Sequence, residues 1–317
     1  MVDILQTRIY TVIMNDFYYS LNEYLQKTFG EKVYKLSLDL GFTCPNRDGT
    51  LDTRGCIFCL AGSSHFAMQE GDIHEKIEKA KKLVEKKTKA KRFIAYFQSY
   101  TNTYAPIELL REQFSAVIAR EDIAAISVAT RPDCLPSETL SLLSELNQIK
   151  PVWVELGLQT SNEKSAEYIR RCYKNEVYVK AVSDLKARGI KVITHIILGL
   201  PSETREDMLK TVDFAVDAGT DGVKLQLLHI LKGTDLCTDY LNGKFSALTL
   251  EEYTDLLCDC IERLPKNIVV HRITGDAPKA HLVAPLWSAD KKTVMNTISR
   301  VMALRGIEQG RQYIIKR

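Results

Sequence analysis

Strand-length segments rich in apolar residues alternate with amphipathic helical segments along most of the chain. The apolar segments predict strands near residues 34–42, 93–99, 123–129, 151–158, 191–198 and 222–229. The intervening patterns predict helices near residues 72–89, 106–120, 136–148, 163–170, 176–188, 202–218 and 249–264. Strands that alternate with helices form βαβ units and a parallel sheet. The pattern therefore predicts an α/β fold, preceded by a helical segment that ends near Gly30.

Polar or amphipathic residues recur at alternate positions in several of these strands, although the strands of a parallel sheet are usually apolar throughout. These residues are Ser37, Asp39, Tyr96, Gln98, Trp153, Glu155, Gln159, Lys224 and Gln226. Residues two apart in a strand share a face, so one face of the sheet is polar. We interpret this face as the lumen of an open α/β barrel that holds a polar ligand. The alternative is a set of scattered, hydrogen-bonded buried groups.

Composition and charge narrow the class of protein. Apolar residues make up 45% of the 317 residues, which suits a folded core, and the net charge of +3 is too small to predict nucleic-acid binding by itself. We find no secretory signal and no apolar run of roughly 20 residues, the length that spans a bilayer. We therefore expect a cytoplasmic protein that does not bind a membrane and whose eight cysteines are reduced.

Three cysteines lie in a long loop that follows the first strand. Cys44, Cys56 and Cys59 are separated by eleven and then two residues. Three thiolates on a 4Fe–4S cluster leave one iron open to a cofactor, whereas four would close it. The alternative is a zinc site completed by His65. The loop's position favours the cluster, because α/β barrels place their chemistry at the carboxyl ends of their strands.

Several segments together carry a resemblance to a known family. They are residues 41–50 (GFTCPNRDGT), 55–59 (GCIFC), 96–104 (YFQSYTNTY), 155–160 (ELGLQT), 199–201 (GLP) and 271–276 (HRITGD). On these segments the chain resembles the radical S-adenosylmethionine (SAM) superfamily, in the branch of the elongator catalytic subunit, and most closely its YtqA/YhcC subgroup. The resemblance extends over residues 28–290. The chain departs from the common C-x3-C-x2-C spacing in its longer first gap, as this branch usually does.

The resemblance implies a fold and a chemistry. The fold is a partial (β/α)6 TIM-like barrel over residues 32–266, with a helical lead-in over 1–31 and a C-terminal extension over 267–317 packed on the same domain. A 4Fe–4S cluster would cleave SAM to methionine and a 5′-deoxyadenosyl radical, which removes hydrogen from a substrate. The reaction needs one electron from a flavodoxin- or ferredoxin-type donor. The sequence predicts no oligomeric state.

The same resemblance suggests roles for individual residues. Phe58 and Leu198 would lie by the adenine, Gln98, Ser99 and Asn102 by the methionine end, Glu155 and Gln159 by the ribose or amino group, and Arg171 by the carboxylate. Outside these motifs, Lys224, His271, Arg272 and Asp276 are candidates for substrate contacts. Alternatives stay open: Arg171 as a surface residue, Lys224 as an ion-pair partner of Glu155, and His271 as an ordinary strand-end residue.

Proteins of this subgroup suggest a tRNA substrate. The reaction would convert a carboxymethylaminomethyl group on the wobble uridine to aminomethyl. The lysine-rich segment 76–92 could contact RNA phosphates through Lys79, Lys82, Lys86 and Lys89, or could be the solvated face of a helix whose apolar stripe is buried. Two other functions remain: a radical SAM enzyme acting on a small metabolite or protein, and a zinc-stabilised binding protein without catalysis.

Overall fold

A computed structural model describes residues 17–60, 67–68 and 70–314 of the chain. Residues 1–16 of the predicted helical lead-in lie outside the described residues, as do His65 and part of the loop after the third cysteine. The remainder of the lead-in contains helix α1 (Leu21–Phe29), which begins after Ser20 and ends at Gly30 in the left-handed conformation. Gly30 can adopt this conformation without strain because it has no Cβ.

Strands and helices alternate after α1, as predicted. The strands are β1 (Val33–Leu38), β2 (Arg92–Phe97), β3 (Ile123–Thr130), β4 (Val152–Gln159), β5 (Lys191–Leu198) and β6 (Gly222–Leu227). The helices between them are α2 (Ile73–Val84), α3 (Ile107–Ile118), α4 (Ser137–Asn147), α5 (Glu163–Tyr168), α6 (Asn175–Lys186) and α7 (Arg205–Asp217). Most of their boundaries lie within a few residues of the sequence prediction, so the alternating pattern correctly identified the α/β fold.

The region after β6 is more irregular. It contains β7 (Ile230–Leu231), α8 (Asp235–Leu241), α9 (Leu250–Arg263), β8 (Val269–Arg272), β9 (Leu282–Ala284), a short 3-10 helix (Leu286–Ala289) and α10 (Lys291–Arg305). Strand β8 pairs in parallel with β6, and β7 pairs with β9 in a separate two-stranded sheet. The segment predicted as an extension therefore supplies a strand to the main sheet. The division into a barrel and an extension at residue 267 stays a prediction.

The main sheet has seven strands in the order β1-β2-β3-β4-β5-β6-β8, and all of them are parallel. Its order follows the chain, as in a barrel that has not closed, and the predicted partial TIM-like barrel is confirmed with one strand more than expected. Helix α1 contacts both edge strands, β1 and β8. It therefore covers part of the gap that an open barrel leaves.

The two faces of the sheet differ in their side chains. On the outer face, apolar strand residues such as Leu36, Leu38 and Val154 pack against the helices in one large core. On the inner face, an apolar cluster of Val33, Ile94, Ala125, Trp153 and Ile193 fills one level of the lumen and packs against α1. None of the helices in the described ranges combines the length and apolar character that a bilayer crossing requires.

Candidate active site

The three cysteines of the loop after β1 line one cavity of about 200 Å³. Arg131, Glu155, Gln159 and His195 also line it, so it lies against the inner face of β3, β4 and β5. Within residues 17–60, 67–68 and 70–314, no three His, Cys, Asp or Glu side chains are grouped closely enough to hold one metal ion. The three cysteines share one cavity, and their role as cluster ligands stays a prediction; the fourth ligand of the zinc alternative, His65, lies outside the described residues.

Arginine and asparagine side chains hold the cysteine loop in place. Arg47 donates from Nη2 to the carbonyl of Cys59 at 2.6 Å, and Asn46 donates from Nδ2 to the carbonyl of Arg170 at 2.7 Å. Arg170 in turn donates from Nε to the carbonyl of Gly55 at 2.8 Å. A Cβ at Gly55 would approach the Arg47 guanidinium to 2.8 Å, and φ at this residue is 76°, so only glycine suits the position. These contacts fix the loop backbone beside the cavity.

A cation bound beside the three cysteines would stabilise the ionised form of their thiols. Burial raises the pKa of Cys56 to about 12, and the neighbouring Cys59 thiol raises it further, against the opposing effect of Arg131. Asn46 Nδ2 lies 3.6 Å from the sulfur of Cys56. Thiolate is the form that binds metal, and a bound cation lowers the pKa of its ligands. Three thiols that line one cavity, with Cys44 buried and Cys56 and Cys59 half-buried, have the donor chemistry that an iron–sulfur cluster requires.

Unpaired polar atoms mark the polar character of the cavity. Among the described residues, Oγ1 of Thr101 and Oε1 of Gln159 are buried without a hydrogen-bond partner, and both residues line the cavity. Asn102 and Asn46 are sequence neighbours of residues that line the cavity. Their Oδ1 atoms are also buried and have no partner among the described residues. Such atoms are costly unless a ligand or water satisfies them. The ammonium and ribose hydroxyl groups of SAM could donate to these acceptors.

Four of the eight residues predicted to contact SAM line this cavity, whereas Leu198 packs in the outer core. Phe58, Glu155, Gln159 and Arg171 line the cavity. Gln98, Ser99 and Asn102 follow β2, and the Nδ2 of Asn102 donates to the carbonyls of Ser99 and Ala129, both at 3.0 Å. Leu198 ends β5, and its carbonyl accepts from the backbone N–H of Leu228 at 2.9 Å. Their SAM contacts remain predictions.

Arg171 has a clear structural role. It is 1% exposed, and its guanidinium donates to the carbonyls of Tyr173, Leu158 and Thr160 and to the side chain of Asn175, at 2.7 to 3.1 Å. It is therefore not the surface arginine of the alternative interpretation. Since its three nitrogens already have acceptors, a bidentate contact to the SAM carboxylate would require these bonds to rearrange, and that role stays a prediction.

Glu155 is the centre of a buried charged layer in the lumen. Its Oε1 accepts from Lys35 at 2.8 Å and from Ser127 at 2.7 Å. Its Oε2 accepts from His195 at 2.7 Å and contacts the ammonium of Lys224. Four donors from four strands thus surround one carboxylate. The alternative interpretation of Lys224 as an ion-pair partner of Glu155 is therefore confirmed.

Burial and charge shift the pKa values in this layer. Burial raises the pKa of Glu155, but Lys224 and Lys35 outweigh burial and hold it well below its ordinary value. Burial lowers the pKa of Lys224 to about 7, although the Glu155 charge opposes the shift. Burial and the nearby Lys224 ammonium lower the pKa of His195 to about 4. Glu155 is therefore ionised and His195 neutral at pH 7, while Lys224 titrates near neutrality.

The remaining predicted substrate residues lie at the β8 side of the lumen. Arg272 is opposite Lys224 in the register of β6 and β8, and it lies 3.6 Å from Asp276. Asp276 also pairs with Lys291 at 2.6 Å. His271 is half-buried and lines a different cavity of about 300 Å³, together with Trp153. The structure thus brings Lys224 and Arg272 together but places His271 at the level of the apolar cluster.

Sequence reasoning missed three residues of the site. Lys35 and Ser127 both bind Glu155, and Arg131 is a cavity residue that pairs with Asp133 through Nε and Nη2 at 2.9 and 2.7 Å. Lys35 and Ser127 were detectable, since each lies at an inward position in its strand. Arg131 directly follows β3, where strand-end residues of a barrel reach the site.

Comparison with known proteins agrees with this geometry. Residues 52–215 match the model of the Radical SAM superfamily, and residues 220–303 match that of the Radical_SAM C-terminal domain. The chain is 45% identical to YtqA of Bacillus subtilis over 93% of this chain and 92% of that protein. It is 38% identical to YhcC of Escherichia coli over 90% of this chain and 92% of that protein.

More distant matches extend the comparison. The solved structure of Elp3 from the archaeon Methanocaldococcus infernus has a TM-score of 0.68 at 20% identity, covering 87% of this chain and 64% of that chain, which shows a shared fold. The tRNA uridine(34) acetyltransferase of Methanocaldococcus jannaschii is 27% identical over 52% of this chain and 30% of that protein. This chain is therefore a member of the radical SAM superfamily, an enzyme that uses a 4Fe–4S cluster and S-adenosylmethionine, and it groups with YtqA and YhcC in the branch whose fold Elp3 shares.

Proposed function

We propose that the enzyme modifies the side chain of a wobble uridine in tRNA, converting a carboxymethylaminomethyl group to aminomethyl. The observation that carries the proposal is the match to a tRNA uridine(34) acetyltransferase, a protein that acts on the same nucleotide, over half of this chain. When bound, the cluster and SAM supply a carbon radical that removes a hydrogen atom. The methylene between the amine and the carboxylate suits this chemistry: loss of its hydrogen atom and of one further electron, which the oxidised cluster would accept back, would give an imine. Water would then release the two-carbon group as glyoxylate and leave the aminomethyl group.

The structure offers space for a nucleoside beside the cysteine loop. A cavity of about 820 Å³ lies between that loop and the ends of β2 and β3, lined in part by Pro45, Leu51, Tyr104, Pro106 and Pro136. Small-molecule sites usually measure about 300–1,000 Å³ and are mostly apolar. We propose that the nucleoside approaches through this cavity, with its side chain toward the cofactor.

We assign the site residues within this proposal. Cys44, Cys56 and Cys59 hold the cluster, because they share one buried cavity. Phe58 and Gln159 contact SAM, the latter through an acceptor that has no partner in the protein. Glu155 acts as a positioning residue that holds two lysines, since all of its acceptor sites have donors in the protein. Lys224 and Arg272 face the substrate.

Two partners and a compartment complete the proposal. Radical SAM enzymes need an electron donor, and we propose a flavodoxin- or ferredoxin-type protein. All eight cysteines are free, which suits the reducing cytoplasm. The second partner is tRNA, and α2 offers a basic surface. Its stripe of Ile73, Ile77 and Ala80 is buried, and its Lys82 is exposed, as are Lys86, Lys87 and Lys89 directly after the helix.

The test of the function is nucleoside analysis of tRNA from a strain that lacks this enzyme. Carboxymethylaminomethyluridine should accumulate and aminomethyluridine should disappear, and a plasmid copy should restore both levels, whereas a Cys56→Ala copy should not. Purified holoenzyme, SAM and reductant should convert the purified tRNA. An unchanged nucleoside profile would reject the substrate and favour a small metabolite or protein instead.

The basic surface has its own test. Replacing four of its lysines with glutamine should weaken tRNA binding and reduce the log–log salt slope by roughly 0.7–0.9 per lost phosphate contact. These residues are Lys79, Lys82, Lys86 and Lys89. The control replaces exposed lysines on other helices, Lys164, Lys180, Lys210 and Lys292. If both variants bind tRNA alike, the lysines of α2 and of the segment directly after it are only a solvated face.

A further inference from the structure

The charged layer of the lumen contains more cationic groups than carboxylates. Among the described residues, Lys35 and Lys224 pair with one buried carboxylate, that of Glu155, and Arg272 lies opposite Lys224 in the register of β6 and β8. A second carboxylate, Asp276, lies 3.6 Å from Arg272 but pairs more closely with Lys291. Burial lowers the pKa values of His195 and His271, so these histidines are neutral at pH 7 and add no charge to the layer. The layer therefore contains fewer anionic groups than cationic groups.

The cations are not equally satisfied. Lys224 is buried and contacts Glu155 and the Tyr96 hydroxyl, which is 3.0 Å away. Lys35 keeps 18% of its side chain exposed, and among the described residues Glu155 is its one hydrogen-bond acceptor. The aromatic rings of Tyr96 and Trp153 lie near the Lys35 ammonium, at 4.8 and 5.7 Å. Since an ammonium has three donors, Lys35 can still donate to a further acceptor.

Arg272 is the second incompletely paired cation. Its side chain is 36% exposed, and in the described part of the chain its ion-pair partner is Asp276 at 3.6 Å, a distance beyond a normal hydrogen bond. It lies opposite Lys224 between β6 and β8, and its charge is felt by Lys224, His195 and Tyr96. Lys35 and Arg272 therefore approach the layer from the two edge strands of the open barrel.

The layer also adjoins the cofactor cavity. Glu155 and His195 belong to the layer and line that cavity. A ligand group held by the layer would therefore lie on the floor of the space in which the cofactor acts. Buried cations retain their charge at lower cost when an anion pairs with them, and carboxylates accept from lysine and arginine through short, strong hydrogen bonds.

We propose that Lys35, Lys224 and Arg272 form a subsite for a carboxylate carried by the substrate, with Glu155 holding the two lysines in position. As a statement about the substrate, the inference rests on the proposed function; the anion site itself does not. SAM also carries a carboxylate, so the experiment separates the two sources. Removing one cation from such a site typically raises the dissociation constant of the anion at least about tenfold.

The first arm tests the anion site without RNA. The chain has two tryptophans, and Trp287→Phe leaves Trp153, whose ring lies 5.7 Å from the Lys35 ammonium, as the reporter. Formate is titrated into reconstituted holoenzyme saturated with SAM, and Trp153 emission is recorded. We expect a saturable change that Lys35→Met weakens at least about tenfold and that the exposed control Lys180→Met leaves intact.

Arg272→Gln provides a second variant should Lys35→Met fail to fold, because Arg272 is partly exposed and its carboxylate partner in the described ranges, Asp276, is partly exposed too. It should weaken formate binding in the same way, and Arg272→Lys should recover part of the affinity. No saturable formate effect in folded wild-type holoenzyme would overturn the inference. It would also be overturned if formate competes with SAM, since the anion site would then belong to the cofactor.

The second arm connects the site to the substrate. Three anticodon stem-loops are compared, with carboxymethylaminomethyluridine, aminomethyluridine or uridine at the wobble position. We expect the carboxylate-bearing stem-loop to bind at least about tenfold more tightly than the aminomethyl one, and this preference to be lost in Arg272→Gln. If formate binds as expected but the three stem-loops bind alike, the anion site stands and the proposed function fails. If the preference exists but persists in Arg272→Gln and Lys35→Met, the subsite assignment fails and the function stands.

Discussion

Two neighbouring levels of the same lumen have opposite chemistry. The lower level consists of Val33, Ile94, Ala125, Trp153 and Ile193, which form one apolar cluster. The level two residues further along each strand contains instead the polar residues Lys35, Tyr96, Ser127, Glu155 and His195. Since residues two apart share a face, the same five strands build both levels. The lower level closes the barrel, and the upper level is adapted to a ligand.

The difference shows that the upper level of the lumen contributes less to stability than the lower level. Apolar side chains stabilise the fold by burial alone, whereas buried charges rarely do, because their loss of hydration offsets much of their attraction. A layer of Lys35, Glu155 and Lys224 is therefore poorly explained by stability. It lies on the floor of the cofactor cavity, and we attribute it to substrate binding.

The largest loss of stability should follow substitution of Glu155, at the centre of the charged layer. Glu155→Gln places an amide where two ammonium groups donate, and breaking a buried ion pair typically costs about 3–5 kcal/mol. We expect the free energy of unfolding, measured by urea denaturation, to fall by this amount. Glu145→Gln, which removes an exposed ion pair with Arg111, is the matched control and should change stability little. Equal stability of both variants would contradict the account of the layer.

A smaller loss of stability should follow removal of one hydrogen-bond donor to Glu155. Ser127 is fully buried, and its hydroxyl donates to Glu155 at 2.7 Å. Hydrogen bonds to charged groups contribute about 1.5–3 kcal/mol, so Ser127→Ala should destabilise by roughly that amount in the same denaturation assay. Ser141→Ala, on an exposed helix face, is the control and should not destabilise. A neutral Ser127→Ala would show that this bond is not needed to hold Glu155.

The smallest expected effect is the change of formate affinity with pH. The pKa of Lys224 is lowered by burial to about 7, so its ammonium is present below that pH and is lost as the pH rises. Formate bound to the layer requires that charge, so formate affinity should fall between pH 6.5 and 8, by at most about tenfold per pH unit for one proton. The titration is repeated with Lys224→Met, whose affinity should be low and flat with pH. An affinity that rises with pH in the wild type would contradict the charge assignment.

The sequence predicted the fold well because its signals are local. The alternation of apolar segments and amphipathic helices depends on neighbouring residues, and it identified β1 to β6 and the helices between them. Strand β8 was not predicted. Its four residues, Val269–Arg272, are too few for a clear pattern, and they become a strand by pairing with β6 and bridging to Ser20.

The site was predicted only in part, because many of its contacts join residues that are far apart in the sequence. The polar positions of β4 and β6 were recognised, and so was the possibility that Lys224 pairs with Glu155. The contact between Lys35 and Glu155 joins residues 120 positions apart and exists because the sheet curls. Likewise, the chemistry of Arg171 suggested a carboxylate partner, but the structure surrounds it with backbone carbonyls that no sequence pattern reveals.

We propose above all that Cys44, Cys56 and Cys59 hold a cluster that activates SAM. The most direct measurement is anaerobic reconstitution of the wild type, of each Cys→Ala variant and of Cys258→Ala, a buried cysteine on α9 outside the cavity, followed by iron analysis and assay of 5′-deoxyadenosine. We predict about four irons per chain for the wild type and Cys258→Ala, with 5′-deoxyadenosine formed by both. The three loop variants should lose the cluster and the product. Full iron and normal 5′-deoxyadenosine in Cys44→Ala would contradict the account.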